Sequence, residues 1–156
     1  MEELTARDIM TEKVITIKKD SSIEDLSEVL LKNKISGVPV VDSDGKIAGI
    51  VTEADIIVQD TDLHFPRYFK LLGGIIYLDS LNKFKDSLKK HLATKVEDIM
   101  VKKVRTISLD TTISDIAELM LRQKINRLPV VDEDSNILGI VTRADIVRSM
   151  IPKENK

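Results

Sequence analysis

The chain of 156 residues contains no cysteine. Disulfide bonds, a thiol nucleophile and a thiolate metal site are therefore excluded, and the cytoplasm is the expected location. Tryptophan is also absent, and aromatic residues make up 3% of a chain that is 42% hydrophobic, which indicates an aliphatic core. No apolar run approaches the roughly twenty residues that a membrane-spanning helix needs. We therefore expect a globular protein with no membrane partner.

An excess of charge of one sign is also missing. The 24 basic and 26 acidic residues leave a formal charge of −2, so no global attraction favours nucleic acid as a partner. The two histidines, His64 and His91, lack the spacing of a metal-binding or acid/base pair. P-loop, nucleophile-elbow and dinucleotide motifs are absent as well. We expect no catalytic activity, no metal and no required cofactor.

The feature that organises the chain is an internal repeat. A shift of 90 residues aligns the chain with itself without gaps, and roughly half of the positions from 8 to 56 are identical. The clearest matches are Asp8-Ile9-Met10 with Asp98-Ile99-Met100, Pro39-Val40-Val41-Asp42 with Pro129-Val130-Val131-Asp132, and Gly49-Ile50-Val51-Thr52 with Gly139-Ile140-Val141-Thr142. A single duplication argues against a solenoid and predicts two units packed about a pseudo-two-fold axis.

Both repeats predict the same order of elements, β-α-β-β-α, after a short helical turn. A Thr-x-x-acid capping box begins that turn at Thr5 and at Thr94. A short strand follows at 14–17 or 104–107. Ser21 or Ser22 in the first repeat, and Thr111 or Thr112 in the second, then caps an amphipathic helix. The compact arrangement of these elements is two helices on one face of a small three-stranded sheet.

The second half of each repeat predicts a β-hairpin and a closing helix. The strands at 38–41 and 47–51 are joined by a turn in which Asp44-Gly45 supplies positive φ angles. The second repeat has no glycine there, so Asn136 is the expected left-handed residue. The closing helix begins at Thr52 or Thr142.

The segment 59–93 has no counterpart in the repeat and is too long and apolar for a plain linker. It predicts a partly helical insert, with a helix capped by Ser80. One interpretation is a cover for the protein's own core. The other is a homodimer or partner surface formed by Leu71, Leu72, Ile75, Ile76 and Tyr77.

The motifs D-I-M, P-V-V-D and G-I-V-T-x-A-D-I occur twice in the same order, so each repeat resembles a CBS domain. The resemblance covers 5–58 and 94–151. It implies an α/β (α+β) pair of tandem βαββα domains, called a Bateman module, whose cleft binds AMP, ADP, ATP or S-adenosylmethionine and regulates an attached or partner protein. Some CBS pairs lie within enzymes such as IMP dehydrogenase, but no catalytic motif is present here. The alternative function is a constitutive scaffold module that binds no nucleotide.

The sequence Thr-x-x-Asp stands at the start of both closing helices, as Thr52-x-x-Asp55 and Thr142-x-x-Asp145. Backbone N–H groups at a helix start suit a phosphate, and an ionised carboxylate accepts two hydrogen bonds, which suits the hydroxyls of a ribose. The same spacing is also a capping box that serves only its own backbone. Both interpretations stay open, and the presence of two copies favours binding.

The family resemblance implies further site residues. One site would combine Ile15, Ile35 and Ser36 with Thr142 and Asp145. The other would combine Arg105, Ile125, Asn126 and Arg127 with Thr52 and Asp55. The apolar members would enclose the adenine. Residues 126–132 resemble the phosphate-contacting segment of the γ subunit of AMP-activated protein kinase, so Arg127 is the candidate phosphate ligand, with an ordinary surface arginine as the alternative.

Overall fold

The computed structural model describes residues 3–58 and 94–152. The elements of the first part are α1 (Ala6–Ile9), β1 (Ile17–Lys18), α2 (Ile23–Asn33), β2 (Gly37–Val41), β3 (Ile47–Thr52) and α3 (Glu53–Val58). Those of the second are α4 (Val96–Ile99), α5 (Ile113–Gln123), β4 (Arg127–Val131), β5 (Ile137–Thr142) and α6 (Arg143–Ser149). This order confirms the predicted mixed fold. The predictions for the insert, with its dimer surface, and for both histidines lie outside the described residues.

Of the predicted cap candidates, Ser22 caps helix α2 and Thr112 caps helix α5. Ser22 Oγ accepts a hydrogen bond from the Asp25 N–H at 3.0 Å, and Thr112 Oγ1 accepts one from the Asp115 N–H at 3.2 Å. Each bond satisfies an N–H group that has no partner within the helix. The helices end where Lys34 and Lys124 take the left-handed conformation, each with a φ of 53°. Their apolar faces are buried.

The short helix at the start of the second repeat begins one residue later than predicted. The N–H of Lys95 donates to Asp98 Oδ2 at 2.9 Å, so Lys95 is the cap and not Thr94. In the first repeat the predicted cap is correct, because the N–H of Thr5 donates to Asp8 Oδ2 at 2.8 Å. The carboxylate one turn into the helix therefore decides the boundary, and it recurs at the repeat shift of 90 residues.

The sheets are small. In the first repeat β1, β2 and β3 form the predicted three-stranded sheet, with β2 in the middle and β1 parallel to it. In the second repeat β4 and β5 are antiparallel, and the predicted strand 104–107 is reduced to a parallel bridge between Ile107 and Val130. The first leading strand overlaps the predicted 14–17 at Ile17 alone, because only Ile17 and Lys18 pair with β2.

The two hairpin turns place a left-handed residue at equivalent positions, Gly45 with a φ of 76° and Ser135 with a φ of 65°. The prediction of a positive φ is confirmed for Gly45 and wrong for Asp44 and Asn136. The backbone N–H of Asn136 donates to Asp132 Oδ1 at 2.9 Å and its side-chain amide donates to Asp132 Oδ2 at 3.0 Å. These bonds fix Asn136 at the end of the turn, so Ser135 takes the left-handed conformation.

The Asp132 turn makes a prediction about pH. Hydrogen bonds from the side chain and backbone of Asn136, and from the backbone of Asp134, lower the pKa of Asp132. The turn is therefore fully stabilised above the ordinary aspartate pKa of about 3.9, and that stabilisation is lost as the pH falls through the lower folded-state pKa. We expect carboxyl carbon NMR titration to give Asp132 a depressed midpoint, which Asn136→Ala moves upward. Equal midpoints in the two proteins would contradict this account.

The chain divides into two compact units that do not follow the repeats. Among the described residues one unit comprises 3–15, 45–47 and 105–152, and the other comprises 16–44, 48–58 and 94–104. Each unit therefore contains most of one repeat together with the leading helix of the other. Helix α1 packs with the second repeat, and α4 packs with the first.

Backbone hydrogen bonds hold each leading helix in its unit. The N–H of Ala6 donates to the Thr111 carbonyl at 2.8 Å, and the N–H of Thr11 donates to the Ile140 carbonyl at 2.9 Å. In the other unit the N–H of Val96 donates to the Ser21 carbonyl at 2.9 Å. Ala6 and Val96 are both fully buried. The core around Ala6 consists of Ile107, Ile116, Met120, Leu128, Val130, Val141 and Ile146. That around Val96 consists of Ile17, Ile23, Leu26, Leu30, Val38, Val40, Val51 and Ile99.

A methionine follows each leading helix and packs against a glycine. A Cβ at Gly139 would overlap Met10 Sδ and lie 3.1 Å from the Thr11 carbonyl oxygen. A Cβ at Gly49 would lie 2.9 Å from the Val101 carbonyl oxygen and also meet Met100. The recurring Met of D-I-M and Gly of G-I-V-T are thus two sides of one close contact, because only glycine leaves space for the sulfur.

Candidate functional site

In the first repeat, the Thr-x-x-Asp motif has the backbone-to-carboxylate hydrogen bond of a capping box. The N–H of Thr52 donates to Asp55 Oδ2 at 2.8 Å, and the hydroxyl of Thr52 donates to the same oxygen at 3.2 Å. Both side chains are half-buried. The other carboxylate oxygen, Oδ1, accepts no hydrogen bond from the described residues. One oxygen of Asp55 therefore serves the helix, and one can accept hydrogen bonds from a ligand.

The motif of the second repeat has the same capping bonds and one addition. Asp145 Oδ2 accepts from the N–H of Thr142 at 2.8 Å and from its hydroxyl at 2.9 Å. Asp145 Oδ1 accepts from Arg148 Nη1 at 2.8 Å. Asp145 is only 5% exposed. The residue three positions after Asp55 is Val58, which has no charge, so the two motifs differ in this ion pair.

The structure brings each motif together with the segment before the first hairpin strand of the same repeat. The Ser36 carbonyl accepts a hydrogen bond from the Glu53 N–H at 2.9 Å, which places Ser36 beside the Thr52–Asp55 turn. The Asn126 carbonyl accepts from the Arg143 N–H at 3.2 Å, and Arg127 pairs with Thr142 between β4 and β5. Asn126 and Arg127 are therefore neighbours of the second motif within one unit.

The predicted site residues are divided between the two units. Ile35, Ser36, Thr52 and Asp55 lie in one unit, and Ile15, Arg105, Ile125, Asn126, Arg127, Thr142 and Asp145 lie in the other. Ile15 and Arg105 are exposed, whereas Ile35 and Ile125 are half-buried against the cores of their units. Each of the two residue sets expected from the family resemblance draws on both units, and the sets stay predictions.

A groove of about 650 Å³ lies beside the second motif, within the unit that contains the second repeat. It is lined by Leu4, Asp8, Ile9, Asp145, Arg148, Ser149, Ile151 and Pro152. Hydrogen bonds from the backbone and hydroxyl of Thr5 lower the pKa of Asp8. Sequence reasoning assigned neither Asp8 nor Arg148 to a functional site. The available signals were the recurrence of Asp8 as Asp98 and the i,i+3 spacing of Asp145 and Arg148 on one helix face.

Within residues 3–58 and 94–152, no group of three or more histidine, aspartate or glutamate side chains could hold a metal ion. In the same two stretches, no helix has the length and apolar character to cross a membrane.

The comparisons with known proteins decide the family. The family model of the CBS domain matches residues 6–60 and 96–152. The chain belongs to the CBS domain family. This CBS protein is 39% identical over 157 residues to the uncharacterized protein MJ1426 of Methanocaldococcus jannaschii, covering 96% of this chain and 93% of that protein. The family resemblance inferred from the sequence is therefore confirmed.

Solved structures of CBS pairs share the fold. CBSX2 of Arabidopsis thaliana in complex with AMP has a TM-score of 0.71 and 28% identity, with 94% of this chain and 95% of that chain covered. The CBS domain pair of protein MJ0100 in complex with 5′-methylthioadenosine and S-adenosyl-L-methionine has a TM-score of 0.69 and 28% identity, with 95% and 96% covered. These two CBS pairs therefore bind adenosine-containing molecules.

Other relatives are much longer than the matched region. The CBS protein spans 64% of chloroplastic CBSX1 of Arabidopsis thaliana, at 30% identity. It spans 23% of a homoserine O-acetyltransferase of Methanohalobium evestigatum, at 34% identity, and 23% of the inosine-5′-monophosphate dehydrogenase of Methanocaldococcus jannaschii, at 28% identity. The chain is similar to only a small part of these two enzymes, so the similarity does not assign their reactions to this chain.

Proposed function

We propose that this CBS pair is a non-catalytic regulatory module that binds AMP, ADP, ATP or S-adenosylmethionine through its two Thr-x-x-Asp motifs. The observation that carries the proposal is Asp55, a half-buried carboxylate with one oxygen held by Thr52 and the other without a hydrogen bond from the described residues. Such an oxygen can accept the hydroxyl groups of a ribose.

The ligands bound by the solved relatives support the choice of an adenosine-containing ligand. CBSX2 binds AMP, and the MJ0100 pair binds 5′-methylthioadenosine and S-adenosyl-L-methionine, so adenosine is common to all three molecules. The ribose is part of that common structure, and phosphate is not. The remaining proposed contacts are Ile15, Ile35, Ser36, Arg105, Ile125, Asn126 and Arg127. Arg127 is the proposed phosphate contact, because a guanidinium group matches phosphate geometry.

The regulatory mechanism follows from differential affinity. A ligand stabilises whichever conformation of the protein binds it better, and it shifts the equilibrium by no more than that difference. A regulated protein partner, a homodimer and a cytoplasmic location belong to the same proposal.

A constitutive scaffold that binds no nucleotide is the second candidate function. It is favoured by the capping bonds, since Thr52 and Thr142 both bond the carboxylate of their own helix. On this account the two motifs stabilise helix starts and nothing else.

Thermal and chemical unfolding with ligand separates the two functions. For protein shown by native mass spectrometry to be free of nucleotide, AMP at about 100 times its dissociation constant stabilises the fold by roughly 2.7 kcal/mol. We expect Asp55→Ala to remove the larger part of this stabilisation, and Asp55→Ala/Asp145→Ala to remove the rest, because each change deletes a ribose acceptor.

Asp25→Ala is the matched control. Asp25 is also a capping carboxylate, since the N–H of Ser22 donates to its Oδ2 at 3.4 Å, but it lies outside the proposed site. It should cost no more unliganded stability than Asp55→Ala, at most about 1 kcal/mol, because its bond is longer and exposed, and it should leave the AMP effect intact. If the wild-type protein shows no stabilisation with AMP, ADP, ATP or S-adenosylmethionine, the scaffold function replaces the sensor function.

A further inference from the structure

The two Thr-x-x-Asp motifs differ in one interaction. Arg148 Nη1 donates to Asp145 Oδ1 at 2.8 Å, which is a short, charge-assisted hydrogen bond. The equivalent position in the first repeat is Val58, and Asp55 Oδ1 accepts no hydrogen bond from the part of the chain that the structure describes. The carboxylate oxygen that would receive a ribose hydroxyl therefore already accepts a hydrogen bond from an arginine in the second motif. In the first motif it accepts none from the described residues.

Because Asp145 is buried, a ligand hydroxyl does not easily replace Arg148 as its hydrogen-bond donor. The side chain of Asp145 is 6% exposed, whereas that of Arg148 is 71% exposed. A buried carboxylate needs hydrogen-bond donors for each oxygen, and Arg148 supplies the donor for Oδ1. A ribose hydroxyl arriving at Oδ1 would replace a charged donor with a neutral one, which forms a weaker hydrogen bond.

We propose that Arg148 is a built-in competitor for the ribose hydroxyls at Asp145, so that the Thr52–Asp55 motif binds its adenosine ligand more tightly than the Thr142–Asp145 motif. The inference rests on the proposed function and adds the order in which the two motifs bind the ligand. At low ligand concentration only the first motif is occupied. The second fills when the ligand concentration is high enough to displace Arg148.

Isothermal titration with AMP tests this in an Asp55→Ala background, where Asp145 is the remaining ribose acceptor. We expect Asp55→Ala/Arg148→Met to bind AMP about tenfold more tightly than Asp55→Ala alone, equal to about 1.4 kcal/mol. The expected gain is modest because an exposed arginine is partly screened by water. With 2′,3′-dideoxy-AMP, which has no hydroxyl to compete with Arg148, the two proteins should bind equally.

Arg122→Met is the charge-matched control. Arg122 pairs with Glu118 on α5 at 3.2 Å and does not contact Asp145, so its loss changes the net charge equally. Asp55→Ala/Arg122→Met should bind AMP with the same affinity as Asp55→Ala. A gain in affinity as large as that from Arg148→Met would show that the effect comes from the change in net charge, and it would overturn the proposal. Melting of both double variants near Asp55→Ala would show that the fold is retained.

Three results overturn the proposal. The first is an AMP affinity that is unchanged or weaker after Arg148→Met is added to Asp55→Ala. The second is a gain in affinity for 2′,3′-dideoxy-AMP as large as the gain for AMP. The third is that the wild type binds AMP while neither Asp55→Ala nor Asp55→Ala/Arg148→Met does. Failure of the proposed function gives a different result, because the wild-type protein itself would then bind no AMP.

Discussion

Ala6→Asp is expected to destabilise the second repeat, although Ala6 belongs to the first. Ala6 is fully buried in the core that contains Ile116, Leu128 and Val141. The described core residues around Ala6 are apolar and offer no cationic partner to a carboxylate, and an uncompensated buried charge costs about 3–5 kcal/mol. That is a large fraction of a typical total stability of about 5–15 kcal/mol. Native-state hydrogen exchange should show faster exchange in α5, β4 and β5 than in α2 and β2.

Val96→Asp is the mirror variant for this test. Val96 is fully buried in the other unit, with Leu26, Val38 and Val40, so the faster exchange should move to α2 and β2. If Ala6→Asp does not fold, Ala6→Leu provides a milder change, since overpacking costs about 1–3 kcal/mol. Faster exchange in the first repeat after a change at Ala6, or the same pattern for both variants, would contradict the exchange of leading helices between the repeats.

Gly139→Val is expected to destabilise the protein by about 3 kcal/mol, because its side chain enters the space of Met10 Sδ and approaches the Thr11 carbonyl oxygen. Met10→Ala removes the first of these obstacles. We therefore expect the double variant to recover part of the loss, with a coupling energy of about 0.5–3 kcal/mol in urea unfolding. The backbone oxygen remains, so recovery is incomplete.

The second glycine contact provides a crossed control. Gly49 packs against Met100 as Gly139 packs against Met10. Met100→Ala should partly rescue Gly49→Val and leave Gly139→Val unimproved, and Met10→Ala should do the reverse. Rescue by the methionine of the other contact would show that the loss comes from the strand conformation and not from the sulfur contact.

The sequence predicts the two Thr-x-x-Asp motifs of the candidate site but not the ion pair between Asp145 and Arg148. The spacing of Thr52 and Asp55 predicts both a helix cap and a ligand acceptor. In the structure one oxygen of the Asp55 carboxylate serves the cap, and the other accepts no hydrogen bond from the described residues. The same spacing in the second repeat gives the same prediction. Arg148 changes the result there because a long side chain one turn away reaches the remaining oxygen.

Local chemistry explains the predictions that succeeded. The repeat, the caps at Ser22 and Thr112, the left-handed Gly45 and the family all depend on residues close together in the chain or on their recurrence at a fixed shift. Such features are encoded locally, because a side-chain cap or a positive φ angle involves only a few consecutive residues. The sequence by itself was sufficient for these.

Tertiary structure decided the rest. An apolar pattern tells which face of a helix is buried and does not tell against which partner, so nothing at Ala6 or Val96 indicated that each leading helix packs with the other repeat. Ser135 took the left-handed conformation because Asp132 holds Asn136 through two hydrogen bonds. The Asp145–Arg148 pair formed because burial leaves the carboxylate in need of a second donor. In each case competition among contacts selected one of several locally allowed structures, and that competition exists only in the folded chain.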